Sequence, residues 1–256
     1  MAGTIVYMED VTVDFSGFKA LNRVNFFIDK GELRFLIGPN GAGKTTLLDV
    51  ICGKVRPEKG RVVFGDDTDI LRLSEHRIAR CGISRKFQTP SIFANLTVFE
   101  NMELSLKRKR GIFSSLFYTM NSKDMHKIFS TFEVVGLKGE AHQKAGSLSH
   151  GQKQWLELAM TIIQEPMLLL VDEPVAGMTG KERSRTGEIL MEIAKEKSVL
   201  VVEHDMNFVR HFARKVTVLH EGGILCEGTF EHVKNDPVVI DVYLGRGGEE
   251  KEDALS

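Results

Sequence analysis

Eight consecutive residues limit what this chain can fold into more than any other part of it. Gly38-Pro39-Asn40-Gly41-Ala42-Gly43-Lys44-Thr45 sets three glycines, a lysine and a hydroxyl at fixed spacing. The apolar run before it, residues 32–37, reads as a strand. Residues 45–52 after it carry Leu47, Leu48 and Ile51 on one face, which predicts a helix closed by Gly53. In that strand–loop–helix context the pattern G-x-x-x-x-G-K-[ST] is a loop wrapped around phosphate. Gly38, Gly41 and Gly43 let the backbone curl so that its N–H groups face the anion. The helix start adds a favourable dipole, Lys44 has the reach for β- and γ-phosphates, and Thr45 offers its hydroxyl to Mg²⁺. The candidate nucleotide-binding residues are therefore Gly38, Pro39, Asn40, Gly41, Ala42, Gly43, Lys44, Thr45 and Thr46, with ATP and Mg²⁺ as the expected cofactors.

A second apolar run, residues 167–171, ends in Asp172 and Glu173. Continuous apolar runs of this length suit strands buried on both faces, and ligands of open α/β sheets lie at the carboxyl ends of such strands. Asp172 is then placed to hold Mg²⁺ and Glu173 to polarise an attacking water as general base. A third run, residues 198–202, ends in Glu203, His204 and Asp205, and His204 is a candidate for reaching the γ-phosphate from the neighbouring strand end.

Around these runs the chain has a βαβ rhythm, with helical residues 181–197 between two strands, which predicts a parallel sheet. Residues 5–8, 11–15, 25–28 and 61–64 read as further short strands, and residues 215–220 and 224–227 as a hairpin about Gly222-Gly223. Between 89 and 147 the character turns helical. Thr97 with Glu100 is a capping box, and Met125, Ile128, Phe129 and Phe132 recur as one helix face. The longest apolar runs fall far short of the ~20 residues of a membrane span, and residues 1–10 carry no signal-peptide pattern. A formal net charge of -1 gives no basic surplus for nucleic acid. Cys52, Cys81 and Cys226 are widely spaced, and an odd count with no CxxC pair argues against a disulfide framework or a zinc site; they are expected as buried free thiols.

Three further segments carry a family resemblance. Leu148-Ser149-His150-Gly151-Gln152 resembles the LSGGQ signature of ABC ATPases, with His150 in place of its first glycine. Gln88 stands where the family has its Q-loop glutamine, and His204 matches the H-loop histidine. With the phosphate loop and the acidic strand, these follow the family's order and distances from about residue 7 to 244. The resemblance implies a P-loop α/β fold with a parallel-sheet RecA-like core, an antiparallel β subdomain and an inserted helical subdomain. As a division of the chain it implies one ATP-binding domain, 1–244. Residues 1–88 and 160–244 would form the core, 89–159 the helical signature subdomain and 245–256 a flexible tail.

It also implies ATP hydrolysis coupled to transport by two subunits facing head to tail. Ser149, Gly151 and Gln152 of one subunit would then close on the ATP held by the other, and Gln88 would touch Mg²⁺ and sense the nucleotide. An aromatic residue after the second strand would stack on adenine: Phe15 first, then Phe18 and Tyr7. One departure is Thr179, where the family usually carries an Asp that crosses the dimer. Within the family, residues 37–43, 87–90, 96–101 and 239–245 look like the branched-chain amino acid importer subgroup. The stretches 148–157, 172–179 and 202–210 look closest to the ATP-binding subunits of urea transporters. This implies a place on the cytoplasmic face of the bacterial inner membrane, beside two membrane-spanning permease subunits and a sister ATPase, with a periplasmic binding protein acting indirectly and no nucleic acid. Residues 88–99 and 113–118 are candidates for the permease contact, and the basic cluster 107–110 for a solvated loop.

Overall fold

The computed structural model describes residues 3–86, 92–106 and 120–245. In chain order the first half contains β1 (Thr4–Phe15), β2 (Phe18–Asp29), β3 (Leu33–Ile37), α1 (Lys44–Ile51), β4 (Lys59–Phe64), β5 (Thr68–Asp69), α2 (Glu75–Cys81), β6 (Ile83–Lys86), α3 (Val98–Ser105) and α4 (Ser122–Val135). Then follow α5 (His150–Ile162), β7 (Leu168–Asp172), α6 (Gly180–Ile193), β8 (Ser198–Val202), α7 (Met206–Phe212), β9 (Lys215–His220), β10 (Gly223–Gly228), α8 (Phe230–Lys234) and α9 (Pro237–Gly245). The chain divides into two units, one made of Met1–Arg85, Met167–Pro174 and Leu190–Ser256, the other of Lys86–Pro166 and Val175–Ile189.

The first unit holds two sheets, ordered β2-β1-β4-β5 and β10-β9-β3-β8-β7-β6. In the larger sheet β9, β3, β8 and β7 run parallel. Every residue of β3, β7 and β8 is buried. This is why these segments read as unbroken apolar runs: a parallel strand covered on both faces has no solvent side to alternate with. Each Leu or Val so buried contributes about 1.5–3 kcal/mol. The one charge inside β3, Arg34, is held by Glu32 at 2.8 Å and Glu227 at 2.7 Å, with its guanidinium 5.1 Å from the centre of the Phe26 ring.

Three local expectations change in the folded chain. Residues 5–8 and 11–15 belong to one strand, not two. The register of β1 against β2 shifts between Met8 and Val11, where Asp10 takes a φ of 49°, so a bulge bends a single strand. The β9–β10 hairpin turns on Glu221 and Gly222, with φ of 48° and 75°, because Gly223 already pairs with His220. Two central residues at positive φ make the turn whose twist matches the flanking strands. The three cysteines are free and half-buried, not fully buried as expected.

In the second unit, α3 starts with the expected capping box. The Thr97 hydroxyl accepts from Glu100 N at 3.1 Å, and the Glu100 carboxylate accepts from Thr97 N at 2.7 Å. Asn101 is fully buried and bonds both backbone groups of Phe93. On α4 the buried face is Ile128, Thr131, Phe132 and Val135. Phe129 stands between the rings of Phe99 and Phe132, while Met125 faces out. Lys86 is buried against Glu157, at 3.4 Å, and Gln154 of α5.

This unit is wider than the stretch 89–159. It takes in 175–189 because Trp155 Nε1 donates to Thr186 Oγ1 at 2.9 Å and Arg185 Nη2 donates to the Val134 carbonyl at 3.0 Å. No helix among the described residues is long and apolar enough to cross a membrane. The candidate segments 107–110 and 113–118, and the tail beyond 245, lie outside the described residues.

Candidate functional site

The parallel strands bring three loop starts to one sheet edge. From the end of β3 the chain turns through Gly38 to Gly43 and enters α1, with Gly43 as the residue before the helix at φ 103°. Only glycine fits there. A Cβ on Gly43 would stand 2.3 Å from the Ala20 carbonyl oxygen, and one on Gly38 would stand 2.1 Å from that of Leu219. The loop is therefore wrapped tightly against β2 and β9, and the first amides of α1, which have no intrahelical acceptor, open into a cleft.

That cleft has a volume of about 250 Å³. Asn40, Gly41, Ala42, Gly43, Lys44, Thr45 and Thr46 line one side, Asp172 and Glu173 another, and Phe15 and Phe18 a third. Phe15 is 50% and Phe18 63% exposed, although both are large apolar rings. Tyr7, the third aromatic candidate, is also exposed but does not line the cleft. Lys44 Nζ donates to the carbonyls of Gly38 at 2.6 Å and Pro39 at 3.0 Å. Burial pushes the Lys44 ammonium below its usual pKa, against the opposing pull of Glu173 and Asp172.

Glu173 follows β7 with a φ of 45°, a left-handed conformation that costs a non-glycine residue about 1–3 kcal/mol. Its N–H donates to Val202 O at 2.9 Å, which ties the bent backbone to the neighbouring strand end. His204 Nδ1 lies 3.6 Å from Glu173 Oε1. The fully buried Glu203 carboxylate accepts from the N–H groups of His204 at 3.0 Å and Asp205 at 3.3 Å, so the turn that presents His204 is held from beneath. Glu173 and His204 thus stand side by side at neighbouring strand ends. Gln88, the third candidate, lies outside the described residues.

Sequence reasoning missed Arg85. Its guanidinium donates to Asp172 Oδ2 at 2.9 Å and to Asp49 of α1. Nothing in the local order Ile83-Ser84-Arg85-Lys86 sets it apart from the basic residue beside it. This pair orients the Asp172 carboxylate at the cleft wall.

In the second unit Ser149 is the N-cap of α5, in a capping box with Gln152. Gly151 follows in the first turn. Glu182, which sequence reasoning also missed, joins this group. Its Oε1 accepts from the Ser149 hydroxyl at 3.1 Å, and its Oε2 accepts from Thr179 N at 3.0 Å and Thr179 Oγ1 at 2.9 Å. The Thr179 amide and hydroxyl, ahead of the Ser149 hydroxyl and the Gly151 amide, hold the Glu182 carboxyl below its usual range. One carboxylate therefore links the starts of α5 and α6. Thr179-x-x-Glu182 is a capping box, so this partner was findable from spacing alone.

A side chain on Gly151 would meet Glu182 Oε1 at 2.4 Å, so the glycine here keeps that carboxylate close. The His150 ring lies 3.2 Å from the Ala176 carbonyl oxygen, which gives the departure from the signature a hydrogen-bonding role. Glu182→Ala removes the reciprocal half of the α6 capping box and the acceptor of the Ser149 hydroxyl, and is expected to destabilise the protein by about 1–2 kcal/mol. Urea unfolding checks this, and Glu182→Gln should lose less.

The ABC transporter family model matches residues 21–176. The chain is 33% identical over 254 residues to the high-affinity branched-chain amino acid transport ATP-binding protein LivG of Escherichia coli K12, covering 96% of this chain and 99% of that one. This protein belongs to the ABC transporter family. It is an ATP-binding subunit of an ABC importer and an ATP hydrolase of the ABC ATPase type. A second family model, branched-chain amino acid ATP-binding cassette transporter, matches residues 224–249 of this ABC ATPase.

The fold agrees with that membership. The ADP conformation of MJ1267, an ATP-binding cassette of an ABC transporter, superposes with a TM-score of 0.81 at 31% identity, covering 94% of this chain and 99% of that one. The dimeric, post-hydrolysis ATP-binding cassette MJ0796 bound to ADP and Pi gives 0.73 at 26% identity, covering 88% and 99%.

Proposed function

We propose that this ABC ATPase is the motor of an importer of the branched-chain amino acid and urea group, and that its turnover runs through Glu173. The observation that carries this reading is the shared cleft, where the phosphate loop faces Asp172 and Glu173. The loop amides and Lys44 would bind the β- and γ-phosphates of ATP. Thr45 Oγ1 and Asp172, with Gln88, would hold Mg²⁺, whose chemistry is to neutralise phosphate charge as a Lewis acid. The donors suit it, since a hydroxyl and carboxylate oxygens are hard ligands. Glu173 would take a proton from the attacking water and His204 would steady the γ-phosphate.

Ser149, Gly151 and Gln152 would complete the ATP site of a second subunit, using the anion-binding start of α5. The dimeric MJ0796 cassette supports such pairing, here with a copy or a sister subunit. Two permease subunits would receive the motion at the cytoplasmic face of the bacterial inner membrane, with a periplasmic binding protein on the far side.

Phe15 is the proposed adenine platform. Base stacking contributes about 1–3 kcal/mol, so Phe15→Ala should weaken ATP binding by about 5- to 150-fold, measured by nucleotide titration. A larger loss in Phe18→Ala would move the role to that ring.

For the solute, relatives such as LivG carry branched-chain amino acid transport in their names. The stretches 148–157, 172–179 and 202–210 favour urea as the finer reading. Reconstitution with the permease subunits and binding protein, followed by uptake of labelled leucine and labelled urea, tests both. ATP-dependent urea uptake without leucine uptake supports the finer reading, leucine uptake overturns it in favour of branched-chain amino acids, and uptake of neither with intact ATPase activity removes the whole group.

A further inference from the structure

Outside the cleft, one group of side chains has the make-up of a metal site. Cys226 lies on β10, His232 on α8, and Asp236 just before α9. One ligand atom from each, a thiol sulfur, an imidazole nitrogen and a carboxylate oxygen, lies within 4.8 Å of the others. We propose that Cys226, His232 and Asp236 bind one transition-metal dication, Zn²⁺ being the type.

The donor set argues for that class. A sulfur, a nitrogen and an oxygen suit a borderline-soft ion, whereas Mg²⁺ and Ca²⁺ take oxygen alone. Thiolate and carboxylate together carry two negative charges, which a dication balances beside a neutral imidazole. At ordinary zinc bond lengths tetrahedral ligand atoms stand about 3.3–3.6 Å apart, so a small rotation of the exposed His232 closes the group.

The surroundings are arranged to match. Asp236 Oδ1 accepts from the backbone N–H of Val238 at 2.9 Å and Val239 at 3.2 Å. This orients the carboxylate, the usual part of an outer shell, and the ion would take the place of the proton that now joins the Cys226 thiol to it. A Cβ on Gly228 would stand 2.5 Å from His232 Cδ2, so the bare glycine lets the ring lie against the strand end. The nearby Glu227 carboxylate is committed to Arg34 and Thr217 and does not compete. On binding, the ion replaces the thiol proton, which leaves to solvent, and water takes the fourth position beside exposed His232. The ion would tie β10 to the starts of the last two helices.

The test uses the full chain, stripped of metal and nucleotide, titrated with Co²⁺ and followed by the thiolate-to-cobalt charge-transfer absorption. The expected result is one equivalent bound, displaced by Zn²⁺. The band should vanish in Cys226→Ser, and affinity should fall by at least about tenfold in His232→Ala. The proposal is overturned if no band forms, if the band survives in Cys226→Ser and so belongs to Cys52 or Cys81, or if the His232→Ala protein binds Co²⁺ as tightly as the parent. His232 is exposed, so this last variant decides the matter even if Cys226→Ser does not fold.

Discussion

Glu173→Gln is expected to lower ATP turnover about 10²- to 10⁴-fold, the range that a positioned general base supplies, while ATP still binds. The amide has the shape of the carboxylate but cannot take a proton from water. Little else changes. The bent backbone at φ 45° and its N–H bond to Val202 O do not depend on the side chain's charge, and the phosphate loop on the other cleft wall is untouched. The 3.6 Å approach to His204 also survives as a dipolar contact. Single-turnover hydrolysis and nucleotide affinity, measured on the same protein, separate chemistry from binding. A drop in turnover below tenfold with normal affinity would move the general base elsewhere. A loss of affinity would mean that Glu173 shapes the cleft and does not act on water.

Replacing Arg85 with Ala should cost about 3–5 kcal/mol of stability, the usual penalty for removing one partner of a buried ion pair. The Arg85 side chain is 6% exposed, as is that of Asp172, and Asp49 is 21% exposed. Without the guanidinium, two carboxylates from α1 and β7 are left without the cation that now joins them. Some water reaches Asp49, so the lower half of that range is expected, about 3–4 kcal/mol. At about 2–4 °C per kcal/mol for a chain of this size, the melting temperature should fall by about 6–16 °C. Arg85→Lys keeps the charge but cannot span both carboxylates with a fork, so it should recover only part. A shift under about 2 °C in Arg85→Ala would show that solvent already screens the group.

Arg85 and Glu173 differ in how far the sequence reveals them. Glu173 ends an apolar run of strand length, and nothing but local order is needed to put it at a sheet edge. Arg85 acts through Asp49 and Asp172, which are 36 and 87 residues away, and local pattern carries no trace of such a meeting. Glu182 lies between these cases. Its bond to Thr179 follows from helix spacing, whereas its bond to Ser149, 33 residues distant, does not. The bulge at Asp10 and the hairpin centre at Glu221-Gly222 were hidden for a related reason. Strand propensity marks where a chain extends, and register depends on the partner strand.

Local order alone sets the chemistry of each loop: glycines that permit a phosphate wrap, a lysine and a threonine at its end, two acids after a buried strand, and a serine at a helix start. These are properties of neighbours in the chain, set by backbone sterics and helix or strand period. Which loops face one cleft, which carboxylate Arg85 orients, and that one glutamate joins two helix starts are set by the folded chain as a whole. Those contacts form when distant segments are buried together, because a charge withdrawn from water must find its partner wherever the fold brings one near.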